Sequence, residues 1–102
     1  MKIILVYTTN PDEKTAKNIG DILLKEKLIA CYNLFPIESG YFWQGKKEES
    51  NEFVGIFKTT KEKWSKLKKR IKEIHPYKIP CILKFEVEAN KEYYQWIKDS
   101  VT

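Results

Sequence analysis

Five consecutive apolar or aromatic residues, Ile3-Ile4-Leu5-Val6-Tyr7, stand near the start of the chain and give way to Thr8. The run is far too short for a membrane span or a secretion-signal core, and it does not alternate, so it leaves no face for water. It is predicted to be a central β-strand covered on both faces. A chain of 102 residues holds one core, so a single domain spanning 1–102 must pack every later element against this strand.

Those elements can be read in turn. Asn10-Pro11-Asp12-Glu13 predicts a helix start with Asn10 as N-cap, Pro11 at the first helical position and Glu13 reaching back. Ala16, Ile19, Gly20 and Leu23 follow at helical spacing, and the helix should end near Lys27. From Leu28 to Gln44 the pattern is that of a strand, interrupted around Pro36 and Gly40; a proline there belongs on a sheet edge or bends the strand. Gln44-Gly45-Lys46-Lys47 predicts a turn, and Phe53 to Thr59 the next strand of a long hairpin. Thr59 and Glu62 read as a second capping box before Trp64, Leu67, Ile71 and Ile74, and His75-Pro76 stops that helix. Ile79 to Val87 alternates as a half-solvated strand, with Cys81, Leu83, Phe85 and Val87 on one face and Ile82, Lys84 and Glu86 on the other. Asn90 is placed to cap a short last helix carrying Tyr93, Trp96 and Ile97 on its buried side.

The order is βαββαβ plus a helix, an α+β chain of ferredoxin-like type with two helices packed on a four-stranded antiparallel sheet. Strands one and three are central, two and four are edges, and Pro36 and Pro80 both fall on the edges. The long second strand carries Tyr41, Phe42 and Trp43 towards its outer end. An exposed aromatic edge of that kind needs a partner chain, so a homo-oligomer is expected.

Net charge is +5, which raises the question of an anionic partner. Arg70 is the only arginine, and lysine cannot make the bidentate contacts on which base and phosphate recognition leans, so the lysines read as a solvated surface. An RNA-binding RRM shares the βαββαβ order, and Phe53-Val54-Gly55-Ile56-Phe57 occupies the strand that carries its stacking aromatics. The first strand offers only Tyr7, however, and the RNP1 octamer is absent, which places nucleic acid behind the other partners. Cys31 and Cys81, in a chain with neither an export signal nor a membrane span in view, are expected as reduced thiols in the cytoplasm.

Three chemistries remain open. Cys31, His75 and Cys81 are candidate ligands for a soft cation, with small buried thiols and a helix-end histidine as the structural alternative. Lys58, Tyr41, Trp43, His75 and Tyr77 are candidates for a cleft with aromatic walls and cationic groups, suited to a small anion. The alternative for Tyr41 and Trp43 is a subunit interface. Hydrolytic catalysis is not supported, because Ser39, Ser50 and Ser65 have no activating context.

Four stretches together resemble the CutA divalent-cation tolerance family. They are Leu28-Ile29-Ala30-Cys31-Tyr32-Asn33-Leu34, then Ser39-Gly40-Tyr41-Phe42-Trp43-Gln44-Gly45-Lys46, then Lys58-Thr59, and last His75-Pro76-Tyr77-Lys78-Ile79-Pro80 with Asn90, Tyr93 and Trp96-Ile97. The resemblance implies a non-enzymatic homotrimer, with strands pairing across subunits and a shape related to the PII signalling proteins. It implies no required cofactor, copper or another divalent cation as the bound metal, and clefts between subunits that suit a PII-like sensor of small anions as the second reading. Cys81 departs from the family pattern, which usually has an acidic residue there.

Overall fold

The computed structural model describes residues 1–102, and β1 (Lys2–Asn10) lies inside its sheet as the apolar run requires. The other elements are α1 (Glu13–Lys25), β2 (Cys31–Trp43), β3 (Lys46–Thr59), a 3₁₀ turn at Lys61–Lys63, α2 (Trp64–Ile74), β4 (Ile82–Glu88) and α3 (Lys91–Ser100). The sheet runs β2-β3-β1-β4 with every neighbouring pair antiparallel. The expected sheet order and three helices are therefore present.

Alternation along β1 divides the core between the two sheet faces. Ile4 and Val6 join Phe57 of β3 against Ile19 and Leu23 of α1 and Leu67 and Ile71 of α2. Ile3, pointing the other way, packs with Ala30 against Ile97 and Val101 at the α3 end of the chain. Fully burying one such aliphatic side chain contributes about 1.5–3 kcal/mol before chain entropy is counted. α3 covers only one end of this second face, leaving Leu83 and Phe85 of β4 48% and 50% exposed.

Of the three expected helix caps, Asn90 takes the N-cap position of α3, without a side-chain capping bond, and the other two shift. Asn10 does not cap α1; it remains in β1 opposite Phe53, where its side-chain amide donates to the Phe53 carbonyl at 3.1 Å. The strand carries on to Asn10, so the cap falls on Asp12, whose carboxylate accepts from the Thr15 amide at 2.7 Å. Thr59 likewise stays in β3, its hydroxyl donating to the Leu28 carbonyl at 2.8 Å, and the expected pairing with Glu62 is replaced by an uncapped 3₁₀ turn. In each case the buried side chain at the strand end donates to a backbone carbonyl across the fold instead of accepting from a helix amide, and Asn10 Oδ1, the oxygen a cap would use, is left buried without a partner.

Two strands also differ in extent from their expected bounds. β2 is not broken at Pro36 or Gly40 but pairs with β3 from Cys31 to Trp43, because a proline on an edge strand leaves the ladder's other side undisturbed. The turn reduces to Gln44-Gly45, both at positive φ (52° and 81°), as a two-residue hairpin turn following the right-handed strand twist requires. β3 correspondingly starts at Lys46 instead of Phe53, and the hairpin stretches the molecule to 46 × 24 × 21 Å. β4 begins at Ile82, with Ile79 to Cys81 in an arch after α2. Its more apolar face, Leu83 and Phe85, is the one the helices leave open, while Ile82 packs towards α1 and α2.

Gly20 marks the tightest approach in the fold. A Cβ there would lie 2.5 Å from the Tyr32 ring, so α1 sits directly on β2.

Candidate functional site

The arch from His75 to Cys81 is fastened to the sheet by its histidine. Pro76 drives His75 into extended backbone, where its amide still caps α2 on the Ile71 carbonyl at 2.9 Å. The ring Nδ1 accepts the Tyr77 amide at 3.1 Å, which leaves Nε2 to carry the hydrogen donated to the Thr9 carbonyl at 2.9 Å. Burial lowers the His75 pKa, and the Thr9 bond only partly opposes it, so this is a neutral ring in one tautomer. Both nitrogens are engaged within the fold.

Tyr77, held edge-on to His75, donates its hydroxyl to the Glu52 carboxylate. Burial, and then that carboxylate, raise the Tyr77 pKa, so the phenol keeps its proton. Glu52 itself is only 7% exposed in the middle of β3, and none of the ion pairs in the structure involves it. Together these groups close one end of a cleft of about 780 Å³, at the end of the sheet's second face that α3 does not reach. Tyr7, Thr9 and Cys81 lie along its floor, Tyr41, Trp43 and Glu48 belong to the hairpin side, and Lys78 sits on the arch. The register explains the grouping: Ile37 is opposite Glu52 and Tyr41 opposite Glu48, so all four side chains leave the hairpin on the same face.

Of the five residues expected to form a cleft, Tyr41, Trp43 and Tyr77 come together and two do not. Lys58 lies six residues from Glu52 along β3, roughly 20 Å away at strand spacing. Its ammonium is 3.3 Å from the Tyr93 hydroxyl beneath α3. His75 lies behind Tyr77 and serves as the fastening of the arch. Lys58 and His75, the groups expected to favour an anionic ligand, thus do not line the cleft, whose charged residues are Glu38, Glu48, Glu52 and Lys78.

The three candidate metal ligands are also dispersed within one chain. Cys31 is opposite Lys58, which is opposite Leu5, which is opposite Phe85, so Cys81 stands three strands across and four residues along. Strand geometry makes that separation roughly 20 Å. Cys31 contacts the Tyr93 hydroxyl at 3.5 Å, and burial raises the Cys81 thiol, a shift opposed by the Thr9 side chain and reinforced by Glu52. No group of three or more His, Cys, Asp and Glu side chains is arranged to hold a metal ion. A shared thiol site therefore requires a second subunit.

The register overturns the RNA-binding alternative. Phe57 is fully buried under the helices and Phe53 leaves β3 on that same side, so neither is free to stack a base on the open face. Sequence reasoning missed Glu52 because it began the strand at Phe53. The signal was the alternation Glu48, Ser50, Glu52, Val54, which extends the strand back through charged residues.

The model of the family described as CutA1 divalent ion tolerance protein matches residues 4–100. The chain belongs to the CutA1 family. Its curated relatives include the divalent-cation tolerance protein CutA of Pyrococcus horikoshii, 46% identical over 96 residues that cover 93% of this chain and 94% of the relative. The Thermotoga maritima protein of the same name is 45% identical over 100 residues, covering 97% and 99%. Among solved structures, a Pyrococcus horikoshii CutA crystal structure superposes with a TM-score of 0.95 at 44% identity, covering 97% of this chain and 99% of that one. The structure of the periplasmic divalent cation tolerance protein CutA of Archaeoglobus fulgidus gives 0.94 at 39% identity, covering 98% of this chain and 99% of that one. The cleft and the arch both lie within the region the family model matches.

Proposed function

We propose that this chain is a non-enzymatic divalent-cation tolerance protein acting as a homotrimer. The observation that carries the reading is the near-full-length match to relatives bearing that name. The trimer is supported by a hairpin whose tip leaves Phe42 76% exposed and by two unpaired sheet edges, β2 and β4, with apolar Leu83 and Phe85 beside the second. Pairing those edges between copies would cover the aromatic strand and give each cleft walls from two subunits. Copper or a similar soft cation is the cargo, bound weakly by Cys31 and Cys81 of different subunits, with His75 fastening the arch that carries Cys81. Two unpaired thiols support a cytoplasmic setting, and no helix is long and apolar enough to cross a membrane.

Equilibrium dialysis with copper and zinc tests the cargo. Uptake by the parent, lost in a Cys31→Ser/Cys81→Ser variant, supports it; equal uptake by both removes the thiols from the account. Size-exclusion chromatography with light scattering tests the assembly, and a stable soluble monomer at micromolar concentration overturns it.

A further inference from the structure

The cleft under the arch combines features not found together elsewhere on this chain. It is an acidic concavity on a protein of net charge +5, it has aromatic walls, and a buried carboxylate lies at its edge. Taking a carboxylate out of water is costly unless a cation or several hydrogen bonds compensate. Glu52 has a single protein hydrogen bond, from Tyr77 to Oε2, while no protein donor reaches Oε1, which stays open to the cleft. The other charged residues lining the cleft do not relieve it: Glu38 and Glu48 have the same sign, and Lys78, on the exposed arch, makes no ion pair with it.

Aromatic faces stabilise a cation above them, and a carboxylate accepts hydrogen bonds from it. We propose that this cleft binds a small organic cation with N–H donors, an alkylammonium or a guanidinium, with Glu52 as its anchor and Tyr41 and Trp43 as its walls. The cleft is large enough for a metabolite-sized molecule, and the absence of a third ligating group argues against a bare metal ion. Tyr77 has a positioning role, its hydroxyl fixing the carboxylate so that Oε1 is the oxygen presented to the ligand. His75 acts one step further back, through the Tyr77 amide. The inference is independent of the metal reading, since neither thiol is asked to ionise.

Calorimetry on the full chain in its native assembly, with a chelator present to remove any contribution from metals, tests the proposal. Agmatine and spermidine are the cationic probes, choline is a cation without N–H donors on its charged nitrogen, and citrate is the anion. Saturable binding of agmatine or spermidine, weaker binding of choline and none of citrate is the expected pattern. Losing a charged hydrogen bond weakens binding roughly ten- to a hundredfold, so Glu52→Gln, which keeps an acceptor for Tyr77, should show that loss. Glu48→Gln at the mouth should weaken binding less and should leave the fold untouched even if Glu52→Gln does not. Absence of saturable cation binding, choline as tight as agmatine, citrate binding in the cations' place, or parent-like affinity in both variants would each overturn it.

Discussion

The two ends of the sheet's second face are built from the same parts with opposite charge. At one, Tyr93 lies between Cys31 and the ammonium of Lys58; at the other, Tyr77 donates to the carboxylate of Glu52 a short way from Cys81. The first end is covered by α3, with Ile97 and Val101 buried beside it, and its lysine is satisfied by a hydroxyl and the Tyr93 ring 5.4 Å away. The second has no helix over it, only an arch fastened through one histidine. Closing a polar cluster under a helix makes it part of the core, whereas leaving its counterpart open preserves a carboxylate for an incoming partner.

Cutting into the closed end gives the largest expected effect. Ile97→Ala should destabilise the protein by about 2–5 kcal/mol, read from urea unfolding at fixed protein concentration. Ile79→Ala on the exposed arch should fall within about 0.5 kcal/mol. Equal costs would erase the distinction between the ends. Gly20→Ala, which drives a methyl group into Tyr32 on the helix-covered face, should cost about 1–3 kcal/mol by the same measurement, and a stabilising result would mean that α1 can lift off β2.

The arch gives a subtler, pH-dependent signal. Native His75 has a pKa below the ordinary value of 6.5, so below that pH the unfolded chain binds a proton that the folded chain resists. Its contribution to stability is therefore complete above about pH 6.5, declines as the pH falls from there towards the native pKa, and levels off beneath it. His75→Ala should lower stability near neutrality yet abolish that part of the pH slope; an unchanged slope would assign it to other groups. The smallest effect concerns the thiols: alkylation of Cys81 at pH 8 should be slow because burial raises its pKa, and saturating agmatine should slow it severalfold further while leaving Cys31 unaffected.

These differences also show what could be read directly from the residues. Sheet order, central strands and the buried faces of α1 and α2 were legible, because runs such as Ile3 to Tyr7 and the spacing of Leu67 and Ile71 record burial. Capping was not, since Asn10 and Thr59 satisfy either a helix start or a strand end and only tertiary pairing decides between them. The site was half legible. Tyr41, Trp43 and Tyr77 stand out as aromatics in strand and loop, but the sign of the cleft's charge depends on register. One hairpin pairing sets Glu48 and Glu52 beside those rings, and six residues along β3 carry Lys58 out of reach.

The three indole N–H signals offer the most direct measurement, because each tryptophan reports a different region. Trp43 lines the cleft, Trp64 packs beside the helix-side core, and Trp96 stacks on Tyr93 at the closed end. Titrating the labelled protein with agmatine should move the Trp43 signal saturably while Trp64 and Trp96 stay in place. Movement centred on Trp96, or no movement at any of the three, would contradict the assignment of the open end as the working site.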